Sequence, residues 1–128
     1  MERLKVGIAG FGVVGKRRKD CVDRHPQLRV VAVCDRTFGR DGAFDDGIRF
    51  YRDYRQLLTE KLDVLVVCMT NDIAADVTIA GLEAGVHVFC EKPMTTIYPE
   101  AEELRVLAKK QGVVFHVGHS ERFHLVWE

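Results

Sequence analysis

The sequence predicts an α/β domain built on a doubly wound parallel sheet, and three observations carry that expectation. Short β-branched runs alternate with helical stretches along the chain, the sign of successive β-α-β units. The first run leads into Gly10-Phe11-Gly12-Val13-Val14-Gly15, a G-x-G-x-x-G turn opening a helix. The second ends in Asp35, 20 residues beyond Gly15, where a dinucleotide-binding unit wants an acid. At 128 residues a single domain is expected, and folding hides roughly two-thirds of the surface of a chain this size. No disulfide or structural metal is needed to hold such a core.

Strands are expected at 4–10, 28–35, 63–69, 86–91 and 113–119, each apolar on both faces over much of its length, as between two helix layers. Helices are expected at 12–24, 54–61, 73–85 and 99–111. In the last of these, Pro99, Glu100, Glu102 and Glu103 suit a first turn, and Lys109, Lys110 and Gly112 suit its end. In the first, Lys16-Arg17-Arg18-Lys19 splays charge around the helix and reads as a solvated face, which leaves Val14, Cys21 and Val22 as the chief core contacts. Residues 36–47 hold three glycines and three aspartates, too little for a crossover helix. A loop or single turn is expected there, then a short strand at 48–51. Asp41, Asp45 and Asp46 lack the spacing of a calcium loop and read as turn residues.

Composition excludes several function classes. Nineteen basic and 19 acidic side chains balance to zero, with 47% hydrophobic and 30% charged residues, so neither disorder nor attraction to nucleic acid or an anionic membrane is expected. No run approaches a membrane span, and the start leads directly into a strand rather than a signal peptide. A cytoplasmic protein is expected. Cys21, Cys34, Cys68 and Cys90 form no C-x-x-C pair; the last three end apolar runs and read as small core residues. His116 and His119 lack further ligands at a zinc spacing, so no metal site is assigned.

Each glycine of the turn has a physical task. Gly10 permits the tight turn, Gly12 lets the backbone approach a pyrophosphate, and Gly15 lets the helix pack on the strand. Free N–H groups at the helix start then receive the anion. Glycines also occur in ordinary turns, so position after a strand and ahead of Asp35 is what gives the motif weight. The Asp35 carboxylate suits an adenosine ribose and repels the extra phosphate of NADP; the lesser alternative is a strand-terminating aspartate in a turn. Arg36 beside it could neutralise that phosphate or stack on adenine. NAD is favoured over NADP. At the end of the 86–91 strand, Glu91-Lys92-Pro93 puts a charged pair where open parallel sheets bind ligands. It reads either as a surface salt bridge or as a site in which Lys92 meets a substrate hydroxyl and the nicotinamide's charge lowers its pKa.

Together GFGVVG, VAVCDR, EAGVHVFCEKPM and VGHSERF resemble the N-terminal half of the glucose-fructose oxidoreductase, inositol dehydrogenase and rhizopine-catabolism family of NAD(P)-dependent oxidoreductases. The resemblance covers essentially the whole chain. It implies a Rossmann domain at 1–119, with 120–128 starting a crossover toward a second, substrate-binding domain that this sequence lacks. It implies a small-molecule substrate of sugar, polyol or nucleotide-sugar type, oxidised at a carbinol carbon, and a full-length form able to be a homo-oligomer. The cofactor side is implied to include Gly10, Phe11, Gly12, Val13, Val14, Asp35 and Arg36, a loop at Thr70 and Asn71, and Glu91 and Lys92 beside the nicotinamide ribose. Lys92 is the implied catalytic group, and His119 and Arg122 lead toward substrate. Thr70 departs from a usual proline, and Ala74 from a usual histidine. The alternative is a non-catalytic sensing module of the same fold; the intact Glu91-Lys92-Pro93 favours the enzyme, with little activity expected of these 128 residues alone.

Overall fold

The alternation of apolar runs and helical stretches becomes, in a computed structural model describing residues 3–69, 71–91 and 98–118, a single sheet between helices. Among the described residues the order is β1 (Leu4–Ala9), α1 (Val13–Asp23), β2 (Leu28–Cys34), β3 (Gly42–Ala43), β4 (Arg49–Tyr51), α2 (Tyr54–Leu57), β5 (Val64–Val67), α3 (Asn71–Glu83), β6 (His87–Glu91), α4 (Tyr98–Gln111) and β7 (Phe115–Gly118). The strands lie in the order β3-β4-β2-β1-β5-β6-β7. Every pairing is parallel except the short β3–β4 hairpin. From β1 the chain first builds outward through β2 and β4, then returns to add β5 on the other side. That reversal opens a crevice at the carboxyl ends of β1 and β5, where ligands of open α/β sheets bind.

The core has two layers, set by the alternation of side chains along each strand. On one face Leu57, Val77, Leu82, Leu104 and Ala108 from α2, α3 and α4 pack on Ala9, Leu65, Val67, Val88 and Cys90. On the other, Val22 of α1 joins Val6, Ile8, Val30, Val33 and Val66. Each fully buried Val or Leu contributes about 1.5–3 kcal/mol.

Three details differ from expectation. Val14 and Cys21 are exposed, and the buried residues of α1 are Gly15 and Val22. Those two are seven positions apart and share one face, which turns Val14 and Cys21 about 100° away. Helix α2 is a single turn instead of running to residue 61; Asp53 caps it by accepting the Arg55 N–H at 2.8 Å. The 36–47 connection has no helix, as expected, but it contains β3. There Asp46 accepts the Ile48 N–H at 3.0 Å and Gly47, at φ +90°, closes the turn.

Candidate functional site

Two of the three motif glycines are explained by the protein's own packing. Gly10 has φ +95°, and a Cβ there would stand 2.4 Å from the Cys68 carbonyl oxygen. A Cβ on Gly15 would stand 2.0 Å from the Gly10 carbonyl oxygen, so only hydrogen lets α1 sit against the end of β1. Gly12 is different. Its φ of −85° suits any residue, and a Cβ there meets no described atom within 4 Å.

Gly12 is also the N-cap of α1, with no side-chain cap bond and no acid in the first turn. The first amides of a helix have no intrahelical acceptor and carry the positive end of its dipole. The chain thus leaves an open, cationic helix start at the carboxyl end of β1, suited to a phosphate. Val13 and Val14 line it, 74% and 38% exposed.

Asp35 follows β2 and faces this turn. Its Oδ2 accepts the Phe11 N–H at 2.8 Å; its Oδ1 accepts the Thr37 N–H at 2.9 Å and the Thr37 hydroxyl at 2.8 Å. Desolvation pushes its pKa up, but the bonds from Thr37 and Phe11 and the charge of Arg36 outweigh it, and the net shift is downward. The carboxylate is therefore ionised at neutral pH. Arg36 is exposed beside it.

Phe11, Phe38, Phe44 and Phe50 gather next to Asp35, with centroid separations from 4.7 Å for Phe44–Phe50 to 6.4 Å for Phe11–Phe38. Lys16 Nζ lies 5.9 Å from the Phe11 ring and the Arg40 guanidinium 5.6 Å from that of Phe50. The motif reading included Phe11 but missed the cluster. Its signal was two large apolar residues, Phe38 and Phe44, in a loop of glycine and aspartate where neither strand nor helix periodicity accounts for them.

Glu91 closes β6 and is only 7% exposed. Alternation along β6 turns Val88 and Cys90 toward α3, and Phe89 and Glu91 toward the α1 side. There Arg18 meets Glu91 as a fork: Nε donates to Oε2 at 2.7 Å and Nη2 to Oε1 at 2.9 Å. The hydrogen bond to Glu91 raises the Arg18 pKa still further above its ordinary value, against the opposing effect of burial. This corrects the solvated-face reading of residues 16–19. Lys16 and Arg17 are exposed and Lys19 pairs with Asp23 at 2.7 Å, whereas Arg18 lies on the buried stripe of Gly15 and Val22. Removing Arg18 would leave the buried Glu91 carboxylate without its counter-charge, which costs stability.

Asn71 opens α3 just beyond the carboxyl end of β5. Thr70, Lys92, His119 and Arg122 lie outside the described residues. The structure thus brings together the glycine turn, Asp35 and Arg36 on one side of the crevice and Glu91 on the other. Cys34 and Cys90 are buried and Cys68 half-buried, as core residues. Burial pushes the thiols of Cys34 and Cys68 up to about 12 and that of Cys90 to about 11, the last despite the neighbouring Thr78 hydroxyl. An open polar cleft of about 350 Å³ lies at the opposite, amino edge of the sheet, lined by Lys5, Arg29, Arg49, Glu60 and Lys61 among others. Glu60 there already binds Arg49 and the Tyr51 hydroxyl, and the cleft is remote from the glycine turn. No described helix is long and apolar enough to cross a membrane.

The described surface fits a dinucleotide on its own geometry: a turn with an unfilled Cβ position, an open helix start and an ionised carboxylate beside them. Residues 4–119 match the family model described as "Oxidoreductase family, NAD-binding Rossmann fold". The chain is 32% identical over 127 residues to inositol 2-dehydrogenase of Salmonella typhimurium, covering 94% of this chain and 38% of that protein. It is 33% identical over 133 residues to D-glucoside 3-dehydrogenase of Escherichia coli, covering 95% and 36% respectively. Among solved structures it resembles D-galactose-1-dehydrogenase of Rhizobium etli, with TM-score 0.78 and 25% identity over 90% of this chain and 37% of that one. The chain spans less than two-fifths of the length of each of these proteins.

Proposed function

Since the chain belongs to the glucose-fructose oxidoreductase, inositol dehydrogenase and rhizopine-catabolism family, with its NAD-binding Rossmann fold, we propose that it is the cofactor-binding part of a dehydrogenase acting on a sugar or polyol. The names of the inositol, glucoside and galactose dehydrogenases it resembles support that substrate class. They favour a catalytic role over a sensing one.

In this reading the turn from Gly10 through Val14 holds the pyrophosphate, and Asp35 accepts hydrogen bonds from the adenosine ribose. Arg36 lies at the adenine side, Thr70 and Asn71 form a cofactor-side loop, and Glu91 and Lys92 serve the nicotinamide half. His119 and Arg122 lead to the substrate. NAD is preferred to NADP, because an ionised Asp35 would face the additional phosphate. Bound nicotinamide supplies the hydride acceptor. Lys92 Nζ takes the proton from the substrate hydroxyl as the carbinol carbon is oxidised, and the reverse reaction returns it.

One observation carries the reading: Gly12 leaves space that none of the described residues fills, at an open helix start tied to Asp35 through Phe11. Calorimetric titration with NAD and NADP tests it. Tighter binding of NAD by about tenfold is expected from the strength of a charge-assisted hydrogen bond. Tighter binding of NADP would reverse the cofactor assignment and make Arg36 a phosphate ligand.

A further inference from the structure

Arg18 has a place in the molecule that hydrophobic packing does not explain. It occupies the core-facing stripe of α1 between Gly15 and Val22, where an aliphatic side chain would serve stability at least as well, since desolvation offsets most of what a buried ion pair gains. Its guanidinium forms two parallel bonds with Glu91, at 2.7 and 2.9 Å, and the two side chains are 21% and 7% exposed. Glu91 belongs to β6, which is separated from β1 by β5. The pair therefore crosses the carboxyl end of β5, linking the helix that starts at the glycine turn to the strand leading into Lys92.

We propose that Arg18 is a positioning residue that fixes Glu91, and with it the end of β6, relative to the glycine turn. It thereby sets the spacing between the seats of the two halves of the dinucleotide. The proposal rests on the dinucleotide reading above but adds a residue outside the glycine motif, acting through Glu91. A planar fork suits this task because two bonds to one carboxylate fix its orientation as well as its distance. A lysine would keep the charge and lose the fork.

The test separates the two halves with two ligands: NADH carries both, whereas ADP carries the adenosine and phosphates without the nicotinamide ribose. Affinities for both are measured on the wild-type chain, Arg18→Gln and Arg18→Lys, with thermal unfolding to check that each variant is folded. Arg18→Gln is expected to weaken NADH binding by at least about tenfold, the scale of a charge-assisted hydrogen bond, while ADP binding changes by less than about twofold. Arg18→Lys should fall between wild type and Arg18→Gln for NADH. If Arg18→Gln does not fold, Arg18→Lys must show the NADH-specific loss by itself. Equal losses for both ligands would reduce Arg18 to general electrostatics or stability, and unchanged NADH binding in a folded variant would remove its role; either overturns the proposal. A wild-type chain that binds neither ligand overturns the dinucleotide reading and this proposal with it. A wild-type chain that binds both, with no split in the variants, overturns the Arg18 assignment alone.

Discussion

The Asp35 carboxylate accepts the Phe11 backbone N–H at 2.8 Å, so the acid after β2 and the turn after β1 form one hydrogen-bonded unit. Its other oxygen holds Thr37 by two bonds. Asp35 therefore shapes the turn as well as offering charge to a ribose, and its replacement affects both.

Asp35→Ser is expected to shrink the ratio of NAD to NADP affinity by about tenfold, through loss of charge-assisted bonds and of phosphate repulsion. It should also weaken NAD binding, because the Phe11 amide loses its acceptor. Titrations with both nucleotides measure the two effects together. An unchanged ratio would exclude Asp35 from cofactor choice.

The lowered Asp35 pKa gives a pH signature. A carboxyl group depressed in the fold stabilises it fully above the ordinary Asp range near about pH 4, and that contribution is lost as pH falls through the depressed value. Urea unfolding between about pH 6 and pH 3 should show a shallower acid loss in Asp35→Asn than in wild type. Parallel curves would contradict the sign of the shift.

Gly12 and Gly15 separate binding from folding. Gly12→Val is expected to abolish dinucleotide binding while costing no more than about 1 kcal/mol, the scale of an N-cap change. Gly15→Ala puts a methyl 2.0 Å from the Gly10 carbonyl oxygen and should cost about 3 kcal/mol by overpacking. Thermal unfolding and calorimetry distinguish them. A Gly12→Val variant that binds NAD as wild type does would move the phosphate elsewhere.

Thiol chemistry reports on the core. Cys21 is exposed, whereas Cys34 and Cys90 are buried and Cys68 is half-buried. With pKa values near 12, 12 and 11 for Cys34, Cys68 and Cys90, few of their thiols ionise at about pH 8. A disulfide reagent should label one thiol rapidly in the native chain and four after denaturation. A second rapid thiol would mean that the carboxyl edge opens more than this packing allows.

In a form of the protein that turns over substrate, Lys92→Met should lower kcat at least about a hundredfold with NAD affinity retained, the pattern for losing a positioned proton-transfer group. Undiminished turnover would remove Lys92 from the mechanism.

Features governed by short-range rules were legible in the sequence. The glycine spacing, an acid 20 residues beyond Gly15 and the alternation of runs led to the sheet and the turn. The Arg18–Glu91 pair was not, because its partners are 73 residues apart and four consecutive charges resemble solvated surface. The sequence reading set the core face of α1 on Val14, Cys21 and Val22, whereas the fold puts Arg18 on the stripe of Gly15 and Val22, and only the return of β6 supplies the acid. In the aromatic cluster Phe38, Phe44 and Phe50 are near one another in sequence, and what the sequence did not show is that their loop folds back to bring them against Phe11. Strand β3, at two residues, is too short for periodicity and follows from the Asp46–Gly47 turn.

The central position of β1 also sets an order of events on the ribosome. Val6 pairs with Val30 on one side and with Val64 on the other, and the Lys5 N–H bonds to Asp63, 58 residues later. At roughly 5–20 residues per second, about 3–12 s separate synthesis of those partners. During that interval β1 can pair with β2 while its other edge waits, a row of unpaired amides and carbonyls open to a neighbouring nascent chain. The strand that anchors the finished sheet is thus the one most in need of shelter while the protein is being made.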